Sequence, residues 1–327
     1  MTASPDARSQ PSWLEAIAVY LKPRVLIVMF LGFSSGLPLA LSGATLLVWM
    51  RESGVNLATI GLFALVGTPY TVKFLWAPLT DALDVPVLSR LLGRRRGWLV
   101  FTQILLMAAI VFLGFCNPAT SPALVAFGAL LVATASATQD IVVDAFRVES
   151  LPENEQAAGM ASYVAAYRIG MLISTAGALF LVSAIEASGF DKQSAWRWGY
   201  VAMAGLVVIG IITALVATEP ERSVEAEAAR AGEKPFARVV EAAVGAFKDF
   251  LGYELAFVML AFVVLFKFTD ALSGAMTAPF VIDLGFTRNE YAAIVKGVGL
   301  AALLLGGFAG GFIARALPLA ASLWIGG

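Results

Sequence analysis

The sequence predicts an all-α polytopic membrane protein, and three observations predict it. The 327-residue chain is 59% hydrophobic and 14% charged, with a mean hydropathy of +0.83, beyond the apolar content of a soluble globular domain. The apolar residues gather in uncharged runs as long as a helix needs to cross roughly 30 Å of hydrocarbon. The charges gather between those runs, so the net charge of −1 carries no information about partners. The chain has no histidine, which excludes His-metal sites and Ser-His triads and leaves proton chemistry to carboxylates, Lys or Tyr. One cysteine, Cys116, rules out an internal disulfide. No metal, cofactor or nucleic acid is expected.

The elements follow in order. Residues 1–23 are polar and Pro/Ser-rich, with Trp13 to Tyr20 suited to an interfacial helix and no removable signal peptide in evidence. Between Arg24 and Arg51 lie 26 uncharged residues, span 1, with a kink expected at Gly36-Leu37-Pro38. Spans 2 to 6 fit Ala58 to Leu79, Trp98 to Cys116, Leu124 to Phe146, Ala157 to Ile185 and Trp198 to Thr218. Residues 219–250 are charged and Ala/Glu-rich, as befits a cytoplasmic linker carrying a surface amphipathic helix. Spans 7 and 8 fit Leu255 to Ile282 and Tyr291 to Ala314, and the apolar tail from Ala316 has about half a spanning length.

Loop charge gives the orientation. Fourteen Lys and Arg fall in the N-terminal segment, the loops after spans 2, 4 and 6 and the segment after span 8, against four on the other side. The positive-inside rule therefore sets the N-terminus in the cytoplasm, anchored by Arg94-Arg95-Arg96. An internal repeat sets the plan. Leu41-Ser42-Gly43-Ala44 in span 1 recurs as Leu272-Ser273-Gly274-Ala275 in span 7, and at the same offset Glu52-Ser53-Gly54-Val55 matches Asp283-Leu284-Gly285-Phe286. Span 7 thus reads as a second span 1. Parallel six-helix halves joined by a cytoplasmic linker are the plan of the major facilitator superfamily. The expected organisation is a cytoplasmic segment 1–23, a first half 24–218, a linker 219–250, and the start of a second, incomplete half at 251–327. A chain ending there is expected not to alternate access alone.

Ionisable residues inside apolar spans are costly and mark substrate or proton paths by default. Asp140 and Asp144 share one face of span 4, with Arg147 three residues on. Asp140, the deeper, is the first candidate for proton coupling; Asp144 serves either that or a charge cluster near the headgroups. Arg168 lies near the midplane of span 5 and requires a partner: an ion pair with Asp140, or a substrate carboxylate. Tyr163 and Tyr167 stand beside it at helical spacing. Lys73 in span 2, three residues from Trp76, either snorkels to water or binds substrate. Lys267 and Asp270 in span 7 form either a self-neutralising pair or a site facing the central cavity, Lys267 toward substrate and Asp270 toward protons. The glycines of spans 5 and 8 read as close helix packing.

Several stretches together resemble one family. LGFSSGLPLALSGATLLVWM at 31–50, TIGLFALVGTPYTVKFLWAPLTD at 59–81, GRRRGWL at 93–99, SATQDIVVDAFRVESLP at 136–152 and YRIGML at 167–172 are similar to the AmpG-type anhydromuropeptide permeases. Asp81 and Arg94 to Arg96 resemble the superfamily's loop signature, stretched by residues 83–92. The resemblance implies a proton-driven importer in the bacterial inner membrane. Its cargo is an anhydro-disaccharide peptide recovered for peptidoglycan recycling, and it feeds β-lactamase induction. It directs attention to Gln139, Asp140 and Asp144, to Lys73, and to Arg168. For such a cargo, Lys73, Arg168 and Lys267 suit the peptide carboxylates, while Gln139, Tyr70, Tyr167 and Trp76 suit the sugars. The alternatives are another anionic or sugar-like cargo on the same fold, or a membrane sensor or scaffold that transports nothing.

Overall fold

The computed structural model describes residues 18–220, 235–253, 255–265, 268, 284–285, 298–317 and 321–322. Regular structure among the described residues is entirely helical. Six helices have the length and apolar composition to cross a bilayer: α1 Pro23–Glu52, α2 Leu57–Leu75, α3 Arg94–Phe115, α4 Pro122–Ser150, α5 Glu153–Ala187 and α6 Lys192–Val216. They coincide with expected spans 1 to 6 to within about a turn at the ends, except that α6 begins six residues before the expected start. Beyond them come α7 Pro235–Leu251, α8 Ala256–Leu265 and α9 Gly299–Ala316. The chain divides into two compact units, residues 1–229 with 308–327, and residues 230–307. All that follows concerns the first. Lys267, Asp270 and the repeated words at 272–275 and 283–286 lie wholly or largely outside the described residues.

Helix α1 begins with Pro23 in its first turn, where the missing N–H costs nothing. It runs through Pro38 and leaves helical geometry at Gly43 (φ −115°, ψ −113°), five residues beyond the expected kink. A glycine is the residue at which a helix interrupts most cheaply. Gly36 has a different task. A Cβ there would drive into the Tyr167 carbonyl, one at Gly32 would lie 2.5 Å from the Tyr163 carbonyl oxygen, and one at Gly170 would meet the Phe33 carbonyl. Small residues therefore bring the α1 and α5 backbones together, as they do between membrane helices generally.

Helix α2 starts on the Asn56 side chain, which accepts the Thr59 N–H at 2.8 Å. It tightens into 3₁₀ turns at Phe63–Gly67 and Lys73–Leu75. Pro69 explains the first: it withdraws a donor from the Leu65 carbonyl, which takes the Thr68 hydroxyl at 2.6 Å instead. Helix α5 carries a π turn at Ile173–Gly177. At the same level the Thr45 hydroxyl, just past the α1 break, donates to the Ser174 carbonyl at 2.6 Å. Two helix irregularities are thereby stitched to each other.

Helix α6 is held to α1 by aromatic packing. Trp49 and Trp196 stack with ring centroids 5.6 Å apart, Tyr200 donates to the Leu41 carbonyl at 2.8 Å, and the Trp196 indole donates to Glu52 at 3.1 Å. Gly114 of α3 leaves the room that Tyr200 fills.

Candidate functional site

Helix α4 places Ser136, Asp140 and Asp144 at successive turns of one face, and α2 lies across that face. The Lys73 ammonium is 3.9 Å from Asp140 Oδ2. Asp140 is buried, and Lys73 keeps about a third of its side chain exposed. The sequence suggested Arg168 as the ion-pair partner of Asp140; the structure instead sets Lys73 beside it. Arg168 is exposed, and no ion pair is found for it among the described residues. Tyr163 and Tyr167, 6.0 Å apart, and Tyr70 of α2 surround the same carboxylate, all partly buried.

Asp144 pairs with Arg147 along the helix at 3.6 Å, with half its side chain exposed, the arrangement of a local charge cluster. Trp76 spends its indole N–H on the Thr138 hydroxyl at 3.1 Å. Gln139 is fully buried and points inward to α1, its amide nitrogen 3.5 Å from Ser34 Oγ and 3.4 Å from Ser35 Oγ. Successive helical residues lie about 100° apart, so Gln139 turns further toward α1 than Asp140 does, and the two meet a shared neighbour only at Ser35. Lys73, Asp140, Tyr70 and Tyr167 are thus gathered in one region, whereas Arg168 is exposed beside it, Gln139 turns into the bundle and Asp144 lies a turn further along.

The Arg94 end of the bundle holds a second ionic cluster. Arg95, buried, pairs with Asp81 at 2.7 Å and forks onto Glu149, its Nε to Glu149 Oε2 at 2.9 Å. Arg94 joins the same two carboxylates, at 3.7 Å and 3.3 Å. The carboxylate at the N-terminus of α3 is Glu219, which accepts the Arg95 and Arg96 backbone N–H groups at 2.8 and 3.0 Å. In return Arg96 donates to the Ala214 carbonyl at 2.9 Å and to the Leu215 carbonyl, at the C-terminus of α6. Gly93 (φ +93°) makes the turn and leaves space where a Cβ would strike the Glu219 carboxyl.

Sequence reading passed over Glu149, Glu219, Ser34, Ser35 and Gln103. Gln103 offered a signal, a lone amide within an otherwise apolar run; the two glutamates, at span ends, offered none. Among the described residues no cluster of acidic or sulfur ligands suits a metal ion.

Comparison with known proteins gives the family. The family model described as Major Facilitator Superfamily matches residues 16–327. The anhydromuropeptide permease of Escherichia coli (strain K12) is 40% identical over 313 residues, 95% of this chain and 59% of that protein. A Rickettsia felis protein carrying the name AmpG 4 is 36% identical over 290 residues, 89% of this chain and 67% of its own. An uncharacterized Haemophilus influenzae protein is 33% identical over 305 residues, covering 93% and 68%. The chain thus spans about three-fifths of the length of the Escherichia coli relative it matches.

Proposed function

This chain belongs to the major facilitator superfamily, and from that premise we propose that it serves a proton-coupled secondary transporter importing anhydromuropeptides. The cargo crosses the bacterial inner membrane for peptidoglycan recycling, and through it the transporter feeds β-lactamase induction. The Arg94–Arg96 end faces the cytoplasm, in keeping with the fourteen-to-four division of Lys and Arg between the two sides.

One observation carries the reading: a buried carboxylate and a lysine about a third exposed, Asp140 and Lys73, meet at 3.9 Å between two spanning helices. Such a pair couples two ligands by competition. While Asp140 is ionised it holds Lys73; once it takes a proton its attraction lapses, and Lys73 is released to a substrate carboxylate. Arg168, exposed and always charged, is a second anchor for the stem peptide. Tyr70 and Tyr167 serve the sugars, since Trp76 has spent its donor on Thr138 and Gln139 faces inward. Lys267 and Asp270 are assigned to the same pathway on sequence grounds.

The test is uptake of labelled anhydromuropeptide by vesicles carrying the full-length protein under an imposed pH gradient. Asp140→Asn should abolish the response to the gradient while binding of the cargo persists. Uptake that still follows the gradient in Asp140→Asn would remove Asp140 from the proton path. No uptake of this class of cargo by the parent would remove the muropeptide assignment.

A further inference from the structure

Gln103 sits within α3, and the proposed transport scheme gives it no task. It is fully buried, and neither its amide oxygen nor its amide nitrogen has a hydrogen-bond partner among the described residues. Buried polar atoms without a protein partner are few in folded proteins, and such groups take ordered water where the walls are polar.

Further observations converge on the same place. A Cβ on Gly210 of α6 would lie 2.5 Å from Ser34 Oγ and 2.6 Å from Gln103 Oε1, so the two oxygens pack together against this glycine. Ser34 and Ser35 both approach the Gln139 amide nitrogen, at 3.5 and 3.4 Å. These are long, weak hydrogen bonds that leave the hydroxyls and the amide with capacity for further partners. Gln139 Oε1 and Asp140 Oδ1 also lack protein hydrogen-bond partners, and the Ser35 hydroxyl lies beside Asp140. Gln103, Ser34, Gln139, Ser35 and Asp140 therefore form a buried polar seam from α3 through α1 to α4.

We propose that this seam holds a short file of water molecules, and that Gln103, at its inner end, is a positioning residue that orients the hydrogen bonds reaching the Asp140 carboxyl. The inference rests on Asp140 as the proton carrier. Other groups face that carboxyl from every side: Lys73 and Tyr70 from α2, Tyr163 and Tyr167 from α5, and Asp144 on α4 itself. The file reaches it from α1. Gly210 lets Ser34 and Gln103 meet, because any side chain there would collide with both oxygens and push them apart.

The experiment is infrared difference titration of the full-length protein in liposomes, with the Asp140 carboxyl band identified by its loss in Asp140→Asn. Gln103→Leu should displace the midpoint of that band by about half a pH unit or more, and Gln103→Asn, which keeps the amide, should restore it. Gly210→Ala should displace it with Gln103 intact, and this variant carries the test if Gln103→Leu does not fold. A midpoint unchanged in both Gln103→Leu and Gly210→Ala overturns the relay and leaves the transport reading standing. Failure of the transport reading looks different: the parent's uptake ignores the pH gradient and survives Asp140→Asn, and the relay falls with it.

Discussion

Lys73 reaches Asp140 at 3.9 Å from the wetter side: its side chain is 32% exposed against 13% for the aspartate. The two truncations are therefore unequal. Lys73→Met strands a buried carboxylate, whereas Asp140→Asn leaves a lysine that can turn to water. Allowing for the partial exposure of Lys73, we expect Lys73→Met to cost about 1–2 kcal/mol and Asp140→Asn less than about 1 kcal/mol. The double variant should recover most of the loss. Thermal unfolding in detergent measures all three, and equal losses for the two single variants would contradict the asymmetry.

Glycines at the α1–α5 contact should tolerate nothing larger. At Gly36 the obstacle is the Tyr167 backbone, which cannot rotate away. Gly36→Ala is expected to destabilise by about 1–3 kcal/mol through overpacking. Gly205→Ala in α6, with nothing within 4 Å of the added methyl, should behave as the parent. Expression level and melting temperature of the pair provide the comparison.

Glu219 ties the end of α6 to the start of α3, accepting two backbone N–H groups at a positive helix end. Glu219→Ala removes a charged acceptor from two buried or half-buried donors, at a cost of about 1–3 kcal/mol. Glu219→Gln keeps one acceptor oxygen and should fall between. Protease sensitivity of the 83–93 connection, which includes the short helix Leu88–Leu92, reads the loosening directly; identical cleavage in parent and Glu219→Ala would deny the tie.

Cys116 caps the end of α3, buried, with its thiol donating to the Phe112 carbonyl at 3.3 Å. Burial pushes the thiol up from its ordinary value. Less thiolate is then present at neutral pH than on a free cysteine, and access is closed besides. Alkylation by iodoacetamide at pH 7 should run at least about tenfold slower than on the unfolded chain, and quicken as pH rises through and beyond the ordinary thiol range. Rapid labelling of the folded protein at pH 7 would contradict this burial.

Hydropathy and charge placement made the six apolar helices of residues 23–216 legible before any coordinates, because a chain in lipid must satisfy its backbone within each helix. The rule that buried charge is costly also singled out Asp140, Lys73 and Arg168. The position of the α1 break was not legible in the same way. Gly36 and Gly43 are equal as residues, and the contact of Gly36 with Tyr167 is what reserves it for packing.

What the sequence by itself determined is the solvent, the helices and the short roster of charged residues within them. Only the tertiary structure decided that Asp140 takes Lys73 and not Arg168, that Gln139 turns inward to Ser34 and Ser35, and that Glu219 closes the start of α3. The physical reason is the helix period. It tells which residues share a face of their own helix, but which neighbouring helix covers that face depends on close approaches far apart in sequence, such as Gly36 on Tyr167 and Gly210 on Ser34 and Gln103.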